Sequence, residues 1–129
     1  MNFDLLIVDD DLQFQFLHKK LAEKSEFHYG PVCVSSGEEA IDYIKQKHLD
    51  STNNLLIFLD IYMEGIDGWD VLDYLETLKL PKRFKVILIS SSVNIEDKRK
   101  ALNYDTVIEY IEKPLMVEYL TMLKDAIIF

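Results

Sequence analysis

The sequence predicts an α/β fold, five parallel strands alternating with five helices in a (βα)5 three-layer sandwich. Two kinds of segment carry that expectation. Apolar runs rich in Leu, Ile and Val occur at Leu5–Val8, Leu55–Leu59, Val86–Ile89 and Val107–Ile111, the pattern of strands covered on both faces. Between them the apolar period changes to that of a helix, so strand and helix alternate and the crossovers must be right-handed. The ends of the runs add a third observation. Three runs stop in a polar residue, at Asp9, Asp60 and Ser90, and the fourth leads to Lys113-Pro114.

The elements follow in order. Leu5–Val8 is the first strand, and Asp11 can cap a helix carrying Phe14, Leu17 and Leu21 on its apolar stripe. A weaker strand is expected from Phe27 to Val34; its internal Gly30-Pro31 suits a sheet edge. Ser36, with Glu39 three residues on, has the pattern of a capping box before Ala40, Ile41 and Ile44. After the third strand, Asp67 can cap the helix of Val71, Leu72, Leu75 and Leu78. Asn94 can cap the fourth helix, where Ile95, Ala101 and Leu102 are the only apolar residues up to Asn103, so this helix should be held loosely. Val117, Leu120, Leu123 and Ile127 mark the fifth helix, expected to end near Ile128.

Composition narrows the function classes. A chain of 129 residues with 49% hydrophobic content suits one domain, 1–129, with a real core. The net charge of −9, from 14 basic and 23 acidic residues, disfavours nucleic acid as a partner, since phosphate contacts need a basic face. Cys33 has no intrachain cysteine to pair with, which favours a cytoplasmic location. No signal-peptide pattern opens the sequence, and no apolar run approaches the roughly 18 residues of a membrane span, so no membrane association is expected.

If the runs are parallel strands, their polar ends meet along one edge of the sheet. Asp9, Asp10 and Asp60 would then form a hard oxygen cluster whose mutual repulsion a divalent cation relieves, and magnesium suits carboxylate, carbonyl and water ligands. His18, His28 and His48 fall at no ligand spacing, which gives zinc or iron little support. Each feature alone also has a plain reading: Asp9-Asp10-Asp11 as turn and cap, Ser90–Ser92 as a loop, Lys113-Pro114 as a solvated turn. Their succession at consecutive strand ends argues for a site.

The series Asp9-Asp10, Asp60 opening Asp-Ile-Tyr-Met-Glu-Gly-Ile-Asp-Gly, Ser90-Ser91, Tyr110 and Lys113-Pro114 resembles the receiver domain of two-component response regulators, over about Phe3 to Ile128. The resemblance implies the flavodoxin-like fold with strand order 2-1-3-4-5. It implies Asp60 as phosphoacceptor, Asp10 as a direct magnesium ligand and Asp9 as one acting through water, with the Tyr62 backbone carbonyl as a further ligand. Lys113 would pair with the phosphoryl oxygens, Ser90 would hydrogen-bond one of them, and Tyr110 would be the aromatic switch. The donor would be a sensor histidine kinase or a histidine phosphotransfer protein. Output would be a changed protein-interaction surface read by a downstream protein, without catalysis beyond phosphotransfer and autodephosphorylation. A homodimer through the fourth helix, fifth strand and fifth helix, with Tyr104, Tyr110 and Tyr119, is a further expectation. Because nothing follows the fifth helix, a receiver without an output domain is expected.

Some positions depart from the family pattern. Glu64 stands where proline is usual, Ser91 where a small residue such as alanine is usual, and Tyr62 is bulkier than the polar residue often found two places after the acceptor. Two other readings compete. A haloacid-dehalogenase-type phosphatase also uses an aspartate nucleophile and magnesium, but it needs an acid where Tyr62 stands. A constitutive pseudo-receiver would be expected to have lost an acid or the lysine, and none is lost.

Overall fold

The computed structural model describes residues 2–92 and 94–129, and they form one five-stranded sheet flanked by helices. The strands are β1 (Phe3–Val8), β2 (Val32–Val34), β3 (Asn54–Leu59), β4 (Phe84–Ser90) and β5 (Val107–Glu112). The helices are α1 (Leu12–Lys24), α2 (Gly37–Lys47), α3 (Gly68–Leu78), α4 (Ile95–Ala101) and α5 (Val117–Lys124). All pairings are parallel and the order is β2-β1-β3-β4-β5, the flavodoxin-like topology.

Strand alternation divides the core in two. Leu6, Val8, Leu55, Ile57, Leu59, Val86 and Leu88 point to one face, where Ala40 and Ile44 of α2, Val71, Leu72 and Leu75 of α3, and Ala101 of α4 cover them. Leu5, Ile7, Leu56, Phe58, Ile87 and Ile89 point to the other, beneath Ala22 of α1 and Leu120 and Leu123 of α5. The three central strands are thus buried on both sides, which is why they read as unbroken apolar runs.

Four local features differ from the sequence reading. The second strand is only Val32–Val34, because Phe27 to Pro31 is taken up by the α1 exit: the Phe27 and His28 amides both donate to the Ala22 carbonyl. The α5 helix ends at Lys124, and Ile127 is 95% exposed instead of completing the stripe. At α2, Ser36 accepts from the Glu39 amide as a simple cap, whereas the reciprocal capping box occurs at α3, between Asp67 and Asp70. The largest difference is the rotation of α1. Its buried residues are Gln15, His18 and Ala22, while Leu12 and Phe16 are more than 60% exposed and Leu17 is 38% exposed. Two polar side chains occupy the inward face because the loops offer them backbone partners, as described below.

The α4 helix is the short, thinly anchored element its composition implies. It spans seven residues, buries only Ala101 and leaves Ile95 62% exposed.

Candidate functional site

The site is built by the backbone ladder continuing one step past the strands. The Asp9 amide donates to the Val34 carbonyl (3.2 Å), the Asp60 amide to Val8 (2.9 Å) and the Lys113 amide to Ser90 (2.8 Å). Val8 is level with Leu59, and Leu59 with Leu88, so the residues that follow these strands emerge side by side along the carboxyl edge. The Lys113-Pro114 bond is cis.

Asp9, Asp10 and Asp60 each present a carboxylate oxygen, and the three oxygens lie within 4.8 Å of one another. Asp9 and Asp60 are buried, whereas Asp10 is exposed at the mouth. The Lys113 ammonium sits 2.8 Å from Asp9 and 3.5 Å from Asp60, with its side chain 8% exposed. One ammonium against three carboxylates leaves the pocket with excess negative charge. Burial pushes the Asp60 carboxyl up to about 6; Lys113 opposes the rise, and Asp9 and Asp10 add to it. At neutral pH Asp60 is therefore largely ionised, and a cation placed among the three carboxylates would relieve both desolvation and repulsion. The donor set is oxygen throughout, which fits magnesium.

Two supports beneath the carboxylates were not legible in the sequence. The two N–H groups of the Gln15 amide are shared among the Asp9 carbonyl (2.7 Å), the Val34 carbonyl (3.0 Å) and Ser35 Oγ (2.9 Å), tying α1 to the loop after β1 and to the end of β2. Gly68 opens α3 directly against β3: a Cβ there would lie 2.5 Å from the Asp60 carbonyl oxygen and 2.7 Å from Ile61 Cα. Only glycine lets the helix approach that closely. Its amide donates to the Ile61 carbonyl at 2.7 Å, fixing the turn that follows Asp60.

Ser90 is the last residue of β4 and is fully buried, while Ser91 is exposed. Ser90 Oγ accepts from the Ser92 amide (3.1 Å). Ser92 is itself a junction: its hydroxyl donates to Asp97 of α4 (3.2 Å) and its carbonyl accepts from the Tyr110 hydroxyl (3.0 Å). Tyr110 is half-buried and packs on the α4 side of the sheet together with Val107. Residues three apart in a regular strand point to opposite faces. Here a register irregularity opposite Val86 and Ile87 pairs those neighbours with Val107 and Glu109, and the extra residue, Ile108, brings Val107 and Tyr110 to the same face.

The Tyr62 side chain leaves the pocket altogether. It is 52% exposed and its hydroxyl donates to Asp97 of α4, a bond that pushes its ionisation up to about 12. Tyr62 thus links the β3–α3 loop to α4.

The comparisons with known proteins agree with this architecture. The family model described as the response regulator receiver domain matches residues 5–123. Among curated proteins, the chain is 31% identical over 123 residues to the transcriptional regulatory protein MalR of Bacillus subtilis, covering 95% of this chain and 49% of that protein. It is 30% identical over 114 residues to the probable C4-dicarboxylate response regulator DctR of Priestia megaterium, covering 88% and 46% respectively. The chain therefore spans about half the length of these curated relatives. Among solved structures, a two-component response regulator from Cytophaga hutchinsonii superposes with a TM-score of 0.84 at 29% identity, with 95% of each chain covered. Among the described residues no helix is long and apolar enough to cross a membrane. The sheet order, the acidic cluster at its carboxyl edge and the match over nearly the whole sequence have one reading: the chain belongs to the response regulator receiver domain family.

Proposed function

We propose that residues 1–129 form one receiver domain that accepts a phosphoryl group on Asp60 from a phosphohistidine of a sensor histidine kinase or histidine phosphotransfer protein. A carboxylate oxygen of Asp60 attacks phosphorus in line, the new O–P bond forms as the P–N bond breaks, and the imidazole leaves with the electron pair and takes up a proton. The reaction asks the protein for positioning and charge compensation. Magnesium, held by Asp10 and Asp60, by Asp9 through water and by the Tyr62 backbone carbonyl, would offset the charge gathering on the phosphoryl oxygens. Lys113 would pair with one of those oxygens, and the buried Ser90 hydroxyl would hydrogen-bond another.

The observation that carries this reading is the ammonium of Lys113 lying between Asp9 and Asp60 at the level where the acids converge. An ammonium already buried beside the acceptor supplies the fixed positive charge that an incoming phosphoryl group requires.

Output follows from Ser90. Engagement of its hydroxyl by the phosphoryl group would draw the β4–α4 loop inward, and Tyr110, bonded to the Ser92 carbonyl of that loop, would turn with it. The face of α4, β5 and α5 exposes Ile95, Leu102, Ile108 and Met122, which supports read-out by a downstream protein or by a second copy of the chain. A net charge of −9 favours protein over nucleic acid as the direct partner, in a cytoplasmic signalling pathway. The same switch serves a free-standing receiver and one joined to an output module.

The test is incubation with acetyl phosphate and magnesium followed by intact-mass measurement. One added phosphoryl group is expected on the wild-type protein and none on Asp60→Asn, whose amide is a poor nucleophile. Equal labelling of Asp60→Asn would overturn the assignment.

A further inference from the structure

The Lys113 ammonium has a third neighbour besides the two acids. It lies 4.3 Å from the centroid of the Phe14 ring, which comes from the first turn of α1. A lysine head is a compact charge on a flexible four-carbon stem, so a buried site that depends on its placement must restrain it. Two carboxylates restrain it strongly, but they would keep it: an ammonium held by Asp9 must be released toward phosphoryl oxygens when these arrive. A ring face attracts the ammonium through its quadrupole, more so when water is excluded, and carries no formal charge to compete with an anion.

The residue one helical turn after Phe14 holds the same loop by its backbone. His18 Nε2 accepts from the Leu115 amide (3.2 Å), and the Phe14 and His18 rings lie 5.8 Å apart. With the Lys113 amide bonded to the Ser90 carbonyl, the Lys113-Pro114-Leu115 segment is fixed at both ends, and its side chain runs onto the Phe14 face. Among the described residues the other close ammonium–ring pair is Lys100 over Trp69 at 4.4 Å, which joins α4 to α3, whereas the ion pairs to Asp9 and Asp60 are made by Lys113.

We propose that Phe14 is a positioning residue: its ring is the neutral platform that holds the Lys113 ammonium beside Asp60 and lets it pass from Asp9 to the phosphoryl oxygens. The proposal rests on the phosphoacceptor reading given above.

The test measures binding of beryllofluoride, a phosphoryl mimic, in magnesium for wild-type protein, Phe14→Leu and Phe14→Tyr, each also in a Lys113→Met background. Separately, the Lys113 ε-methylene proton shift is measured by NMR without the mimic. Phe14→Leu should bind about threefold to tenfold more weakly, the range of a cation–π contact, and Phe14→Tyr, which keeps the ring, within about twofold of wild type. In the Lys113→Met background the Phe14→Leu effect should vanish. The ε-methylene protons should be shifted upfield by the ring in wild type and Phe14→Tyr, and lose that shift in Phe14→Leu. Unchanged affinity in Phe14→Leu, the same loss without the lysine, or no ring-dependent shift would overturn the proposal. Failure of wild-type protein to bind the mimic would instead overturn the phosphoacceptor reading, while the NMR measurement still judges the hold of the ring on the ammonium.

Discussion

Acidification should destabilise this protein through one buried histidine, by an amount the structure allows to be worked out. His18 is 1% exposed and its Nε2 accepts a hydrogen bond from the Leu115 amide, so the ring must be neutral with its proton on Nδ1. Burial, aided by the charge of Lys113, lowers its pKa from 6.5 to about 4. Above pH 6.5 the ring is neutral folded and unfolded, and the group has no effect on stability. As pH falls below 6.5 the unfolded chain takes up the proton and the folded one does not, so stability is lost until the folded ring also titrates near 4. The full span corresponds to about 3 kcal/mol, of which about 2 kcal/mol is lost by pH 5. That is a substantial part of the ~5–15 kcal/mol typical of a domain. Burial also lowers His28 and His48, and it pushes Asp60 up to about 6, so the comparison must be with a variant. His18→Gln keeps an acceptor for the Leu115 amide and does not titrate. Urea unfolding followed by Trp69, which is buried against Tyr104, should show the stability difference between wild type and His18→Gln shifting by about 2 kcal/mol against wild type from pH 7.5 to pH 5. A difference constant with pH would refute the reasoning.

Three further outcomes are expected. Asp10→Ala should weaken magnesium binding by about tenfold or more, measured by calorimetry, since it removes one of three converging carboxylates; equal affinity would place the cation elsewhere. Gly68→Ala should cost about 1–3 kcal/mol in urea unfolding, because a methyl group cannot fit 2.5 Å from the Asp60 carbonyl oxygen without moving α3; an unchanged midpoint would mean that the turn yields freely. Tyr62→Phe should remove the bond to Asp97 and speed amide exchange in α4, while the lifetime of the phosphorylated protein stays as in wild type, because the Tyr62 ring reaches toward α4 instead of over Asp60. A shorter lifetime would show that the Tyr62 hydroxyl protects the phosphoryl group.

The sequence by itself determined what depends on short-range pattern. Leu55–Leu59 and Val86–Ile89 are unbroken apolar runs because both faces of a central parallel strand are covered, and Asp11, Asp67 and Asn94 are caps because their side chains need only the next two or three amides. The convergence of Asp9, Asp60 and Lys113 was legible for the same reason: once strands are parallel, their carboxyl ends must share an edge. What only tertiary structure decided are the contacts that alternation and helical period cannot encode. Phe14, Leu17 and Leu21 satisfy helical spacing, yet α1 turns Gln15 and His18 inward, since the backbone groups that satisfy them, at Asp9 before the helix, at Val34 in β2 and at Leu115 after β5, come from outside the helix. The Tyr110 orientation depends on one extra residue in β5, invisible until β4 is paired beside it. Phe14 beneath Lys113 and Tyr62 against Asp97 join residues far apart in the chain, and no local rule carries such pairings. They arise when packing helices onto a finished sheet brings particular side chains within reach, and most of the supports beneath this site are of that kind.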